Sequence, residues 1–360
     1  LMNQDNKNLA DEVIIPDYSF FDAGAFIYSQ YSKDKLTISG GLRIDNRHIK
    51  AASMVVDGEP KFTAFEKNFS NVSGSIGLSY EANKTLALKA NVAKGFRAPN
   101  MAELGSNGAH EGTSRFEIGD KDLKSETSVQ ADAGLEINTE HISFEATVFY
   151  NHISHFIFYS KLLNVLGEDS LITDNETGES LNVFKFTQQS ANLYGAEMSM
   201  DIHPHPLDWL HFKNVFSFTR GIFLKEVDDT KNLPLMPAAK LFSEISINLL
   251  PKGSTLRNLY FTLESDYNFK QSQAFTGYGT ETPTGAYWLL NSSIGTDIFS
   301  RQKHICTVIF SGVNLTDVAY QSHLNRLKYT AINEATGRQG VFNMGRNFAM
   351  KINVPLSFKM

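Results

Sequence analysis

About thirteen stretches of strand-like alternation, connections that alternate between short and long, and tryptophans at both ends of such stretches predict an all-β chain, a transmembrane antiparallel β-barrel. The final stretch shows the pattern most plainly. From Phe348 to Phe358 every second residue is apolar (Phe348, Met350, Ile352, Val354, Leu356, Phe358), and Ala349, Lys351, Asn353, Pro355 and Ser357 lie between. A strand of that length spans about 36 Å. Tilted about 45°, it crosses roughly 25 Å, the height of the apolar band on an outer-membrane barrel. The last strand of a soluble sandwich alternates in the same way, so the rest of the chain decides.

The chain has 360 residues, 42% hydrophobic and 12% aromatic, enough for one large all-β unit or two ordinary domains. One cysteine, Cys306, excludes an internal disulfide framework. A net charge of −6 without a basic block argues against nucleic acid as a partner. No apolar run approaches the roughly 18 residues of a transmembrane helix, a test that barrel strands escape. The opening Leu1-Met2-Asn3-Gln4-Asp5 shows no charged-then-apolar leader, and the expectation is that the chain is a piece of something longer.

Residues 1–17 are polar and are expected to be the end of an extracellular loop, with 18–360 forming the barrel portion. Strand 18–30 turns at 31–34 into 35–48, where Leu36, Ile38, Leu42 and Ile44 oppose Thr37, Ser39, Arg43 and Asp45. After 49–68 come 69–80, with Val72, Ile76, Leu78 and Tyr80 on one face, and a strand carrying Leu86, Leu88, Ala90 and Val92. A long Gly- and charge-rich segment, 96–124, precedes 127–138 (Val129, Ala131, Ala133, Leu135, Ile137) and 141–158 (Ile142, Phe144, Ala146, Val148, Tyr150). Beyond the acidic loop 160–185 lie 188–202 and the turn His203-Pro204-His205-Pro206, whose prolines bar a ladder there. Strands at 209–220, 240–250, 257–270, 286–299, 304–315 and 346–358 complete the series. Short turns on one rim and long loops on the other are the arrangement of outer-membrane barrels. No repeat of about 40–50 residues suggests a propeller. Trp209 and Trp288 start strands at opposite rims, as interfacial girdles require.

Six stretches, in order, resemble the TonB-dependent outer-membrane receptors. Lys94-Gly95-Phe96-Arg97-Ala98-Pro99-Asn100-Met101-Ala102-Glu103-Leu104, followed by Asp122-Leu123-Lys124-Ser125-Glu126-Thr127-Ser128, looks like that family's mid-barrel motif. Val148-Phe149-Tyr150-Asn151-His152-Ile153 and Asn192-Leu193-Tyr194-Gly195-Ala196-Glu197 are similar to two further signatures. Gly312-Val313-Asn314-Leu315-Thr316-Asp317-Val318-Ala319-Tyr320 and Gly345-Arg346-Asn347-Phe348 resemble the C-terminal region. The resemblance implies about 13 strands of a 22-stranded barrel around a plug. It implies TonB as a partner through an N-terminal region absent here, with the missing strands and plug in the same or a second chain. Outer-membrane lipid of a Gram-negative bacterium would surround it. The implied activity is energised uptake of a scarce nutrient: a metal ion, siderophore or other metal complex, with no cofactor.

No enzyme constellation appears: neither Gly-x-Ser-x-Gly, a phosphate-binding loop nor His-Glu-x-x-His. His203 and His205 look like a metal pair but sit in a short, prolyl turn that reads as solvated. His152 and His155 fall on opposite faces unless a bulge intervenes. Glu168, Asp169, Asp174, Glu176 and Glu179 offer hard oxygen ligands in a loop that also reads as simply solvated. Arg97 and Glu103 read as a charge pair at the base of their loop. The substrate-binding candidates are His110, Glu111, His323 and Arg326, all on the long-loop rim, with His110 and His323 as metal ligands. The stretch from His323 to Tyr329 also resembles the last extracellular loop of family members associated with metals. Leu36, Ile38, Leu42, Ile76, Leu78, Leu86, Leu88, Leu135, Phe144, Val148, Ile352 and Leu356 are expected to face lipid, because the opposite parity carries Arg43, Glu136, Glu145 and Lys351. A passive porin and a soluble all-β carbohydrate-binding protein stay open at this point.

Overall fold

The computed structural model describes residues 1–9, 13–56, 58–110, 115–173, 178–250 and 252–356. The chain runs β1 (Met2–Asn6), β2 (Tyr18–Lys33), β3 (Leu36–Ala51), a small hairpin of β4 (Met54–Val56) and β5 (Glu59–Phe62), β6 (Phe65–Glu81) and β7 (Leu86–Arg97). The short helix α1 (Met101–Gly105), β8 (Asn107–His110) and β9 (Arg115–Ile118) follow. Next are β10 (Glu126–Asn138), β11 (Ile142–Lys161), β12 (Leu171–Thr173), β13 (Ser180–Ile202), β14 (Leu210–Val227), β15 (Thr230–Asn232) and β16 (Lys240–Leu250). The last are β17 (Leu256–Asn268), β18 (Tyr287–Ser300), β19 (Lys303–Val313), β20 (Ile332–Asn333), β21 (Arg338–Gln339) and β22 (Asn347–Asn353).

The long strands form one antiparallel ladder in chain order: β1–β2–β3–β6–β7–β10–β11–β13–β14–β16–β17–β18–β19–β22. Directly opposed residues share a face, so the register traces each face across the sheet. Ile27 opposes Leu42, Ile38 opposes Leu78, Leu78 opposes Ala90, and Leu88 opposes Leu135. Phe144 opposes Met200, Ile245 opposes Leu263, and Val308 opposes Ile352. Thus Leu36, Ile38, Leu42, Ile76, Leu78, Leu86, Leu88, Leu135, Phe144, Val148 and Ile352 all fall on one continuous apolar face. Leu42, Ile76 and Ile352 are 63%, 61% and 53% exposed there.

The other face is polar and knitted by charge. Arg43 meets Asp45 at 2.6 Å, Lys89 meets Glu136 at 2.6 Å, and Lys240 meets Asp266 at 2.8 Å. Asn91 donates to Asp132 at 3.0 Å. The loops fold back over this face, which is therefore the inner one. One core joins Ile49, Ala51 and Phe69 of the strands to Ala98, Met101, Leu104 and Leu123 of the loop above. A second seats Leu233 and Phe275 on Ala191 and Phe223.

Two expected boundaries are corrected. Residues 1–17 are not all loop: Met2–Asn6 pairs with Tyr18–Asp22 as β1. After Met2 this strand is polar (Asn3-Gln4-Asp5-Asn6) and shows no alternation, so its ladder partner makes it a strand. The last strand ends at Asn353 rather than 358, because Pro355 has no N–H for a ladder. Leu356 therefore lies beyond β22, and Phe358 falls outside the described residues.

Candidate functional site at the long-loop rim

The long-loop rim is built on the segment after β7. Pro99 cannot continue the ladder, and Asn100 caps α1 instead. Its Oδ1 accepts from the Glu103 amide at 2.9 Å, while Glu103 Oε2 accepts from the Asn100 amide at 2.8 Å, a reciprocal capping box. Arg97 Nη1 then donates to both Glu103 oxygens at 2.8 Å, and its Nε donates to Glu126 Oε2 at 2.8 Å. The free oxygen of Glu126 accepts from the Ile157 amide at 2.5 Å. Four elements, β7, α1, β10 and β11, are locked by one guanidinium and two carboxylates. Gly119 passes so close to the backbone of Gly105 and Ser106 that no Cβ fits. Asp120 binds Lys185 at 3.0 Å and ties this loop to β13. Burial works to raise the Asp120 carboxyl, but the Asp122 amide and the Lys185 ammonium outweigh it and hold it below the usual carboxylate range.

A second group of loops closes around His323. Its ring is almost fully buried; Nδ1 shares a hydrogen bond with Thr284 Oγ1 at 2.8 Å, and Nε2 faces Glu281 Oε2 at 3.3 Å without hydrogen-bond alignment. Glu281 Oε1 accepts from the Leu235 amide at 2.6 Å. Lys328 Nζ donates to the His323 carbonyl at 2.9 Å and to Thr284 Oγ1 at 3.1 Å. The cluster therefore fastens the 228–239, 269–286 and 314–346 connections together. Asn314, itself buried, starts the last of these. Its Nδ2 donates to the Val318 carbonyl and its Oδ1 accepts the Val318 amide, both at 2.9 Å.

Between these groups opens a cleft of about 720 Å³ lined by Phe158, Lys161, Asp169, Gln189, Asp228 and Tyr278 among others. Tyr278 holds a left-handed backbone (φ 60°), rare for an aromatic residue. Its amide donates to Asp228 Oδ2 at 2.7 Å, and its hydroxyl shares a 2.9 Å hydrogen bond with Ser160. Burial keeps this phenol above its ordinary pKa, partly offset by Ser160. A strained aromatic clamped at the wall of an open, polar cleft is the kind of feature that accompanies ligand sites. A smaller groove of about 220 Å³ lies beside His323, Lys240 and Tyr287.

The predicted residues separate. His110 ends β8 opposite Arg115, in a hairpin whose β9 runs parallel to β13. His323 belongs to the other loop group, held by Thr284 and Lys328. Glu111 lies outside the described residues. Arg326 is exposed; Lys328, two residues on, is the cation that joins His323. A bulge does fall between Ile153 and Phe156, yet His152 Nδ1 is engaged with Asn192 Oδ1 at 2.8 Å. In the acidic loop Asp169 pairs with Lys161 at 2.6 Å, and Asp174 and Glu176 lie outside the described residues.

A family model described as "TonB dependent receptor-like, beta-barrel" matches residues 3–315. The chain belongs to the TonB-dependent receptor family. This receptor chain is 31% identical over 130 residues to the "Probable TonB-dependent siderophore receptor PirA" of Acinetobacter baumannii, covering 33% of the chain and 17% of that protein. Among solved structures it resembles the copper transporter OprC (TM-score 0.71, 16% identity), covering 94% of this chain and 50% of that one. It also resembles the FrpB iron transporter of Neisseria meningitidis (TM-score 0.63, 15% identity), covering 94% and 45%. The receptor chain thus spans about half the length of these structures. The likeness assigns its sheet to their β-barrel fold. These relatives are receptors and transporters, not enzymes. The residues that sequence reasoning misses are Glu281, Thr284 and Lys328, scattered over two loops, and His211, whose proximity to His203 only strand pairing reveals.

Proposed function

We propose that this chain is the C-terminal part of a TonB-dependent receptor barrel in the outer membrane of a Gram-negative bacterium, taking up a metal ion, siderophore or other metal complex. The observation that carries the reading is the pairing of a continuous exposed apolar face with an inner polar face whose loops enclose the cleft around Tyr278. A soluble sandwich would cover that apolar face with a second sheet; among the described residues nothing does. Lipid is its natural contact. The mixed charge of the cleft, with Lys161, Asp169 and Asp228, suits a polar chelate better than an apolar ligand. His110 and His323 remain candidate metal contacts, acting separately: His323 reaches substrate only when Glu281 and Thr284 release it. The plug, the contact with TonB and the strands that complete the barrel would come from a longer chain or a partner chain. The test is uptake of radiolabelled iron or copper chelates by cells with and without this protein, in TonB-containing and TonB-deficient backgrounds. Uptake should require both proteins. Accumulation that persists without TonB would sink the energised reading and favour a passive pore.

A further inference from the structure

The short-turn rim, at the opposite end of the inner face, carries a cluster that the mouth does not use. β13 delivers Asp201 on the polar face and runs on to His203; β14 returns His211 to the same face. One ligand atom from each of the three lies within 4.8 Å of the others. Asp201 Oδ1 stands 3.5 Å from His211 Nδ1, and the His203 and His211 rings stack with centroids 5.7 Å apart. Asp201 Oδ1 and His203 Nδ1 are both sealed from solvent without a hydrogen-bond partner. Buried polar atoms normally have one. Lys213, opposite Asp201 in the register, makes no ion pair with it among the described residues. Nearby, the His203 amide donates to the His141 carbonyl at 2.9 Å, and His205 Nδ1 is held 2.6 Å from Asp208.

We propose that Asp201, His203 and His211 form a binding site for a divalent transition-metal ion such as Zn²⁺, Cu²⁺ or Ni²⁺. Neutral imidazole nitrogens and one carboxylate are donors for these ions. Tetrahedral ligands about 2.0–2.2 Å from a metal stand roughly 3.4 Å from one another. The Asp201–His211 separation already matches, and His203 needs to close by about 1.4 Å at most, from the 4.8 Å limit. Three protein donors leave a fourth position open to water or an exchanging ligand, which suits an ion that passes on. The site does not depend on the uptake reading, although for a metal cargo it would lie at the far end from the mouth.

The experiment uses protein purified from membranes in detergent, stripped with chelator, and titrated with Co²⁺ as an optical probe. One equivalent of Co²⁺ should give tetrahedral d–d bands, and Zn²⁺ should displace it. His203→Ala, His211→Ala and Asp201→Asn should each weaken binding by more than the roughly tenfold that loss of an outer partner costs. The double variant His110→Ala/His323→Ala should leave it unchanged, which separates this site from any metal contact at the mouth. Heat-modifiable migration verifies that each variant is folded. For a variant that fails it, pulsed EPR of Cu²⁺ on the unaltered protein should show two imidazole nitrogens. No d–d bands, unchanged Co²⁺ affinity in folded His203→Ala/His211→Ala, or Cu²⁺ without nitrogen couplings would overturn the proposal.

Discussion

Arg97 does more than its partial exposure suggests, because both carboxylates it serves are mostly buried. Arg97→Ala should strip Glu103 and Glu126 of their cation and destabilise the loop base by about 1–3 kcal/mol, the cost of leaving such groups unpaired. Hydrogen exchange should accelerate at the amides of 98–110, and Arg97→Lys should recover only part of the protection, since an ammonium lacks the two-sided fork. Unchanged exchange in Arg97→Ala would refute this role. Arg97 and Glu103 are legible in the sequence because one short motif holds both. Glu281 is not, because its link to His323 exists only once two separate loops have closed. On the opposite face Ile352→Arg should cost about 2–4 kcal/mol if the residue lies near the bilayer midplane. Equilibrium unfolding in phospholipid vesicles measures it, with Lys351→Leu as the inner-face control. A free Ile352→Arg change beside a costly Lys351→Leu would show that the faces are reversed.

At the scale of elements, strand positions are legible and their lengths are not. β11 and β13 have 20 and 23 residues, so at about 3.3 Å each they reach roughly 66 and 76 Å. Tilted about 45°, they rise roughly 50 Å, twice the apolar band of an outer-membrane barrel. Alternation marks 188–202 but not the start at Ser180. There Leu181, Val183 and Phe184 are all buried, because loops cover what would otherwise be two different faces. Outside the membrane the period-two signal has no cause. The excess length stands at the long-loop rim, where Gln188 and Lys124 exchange side-chain-to-backbone hydrogen bonds at 2.8 and 2.6 Å. Protease added to intact cells should therefore cut within 162–179, and Gln188→Ala should speed cutting in the neighbouring 98–125 loop. Cleavage confined to the 203–209 turn would invert the orientation.

At the scale of the whole molecule, the ladder has two edges among the described residues. β22 pairs with β19 alone, and β1 covers only Tyr18–Asp22 of β2, leaving Ala23–Lys33 with β3 as its one neighbour. Rows of unpaired N–H and C=O groups are not tolerated against lipid. The thirteen long strands also cannot seal by joining β2 to β22: with each neighbour antiparallel, an odd count would bring those two together parallel. Both edges should then be covered by further strands, from a longer chain or a partner chain, giving the 22-stranded class of plugged barrels. A photo-crosslinking residue placed at Ala349, on the free edge, checks this in native membranes. Its product, mapped by mass spectrometry, should join β22 to sequence outside residues 1–360. Crosslinks from Ala349 to Ala23–Lys33 would mean that the sheet closes on itself, and the even-strand argument would fall with it.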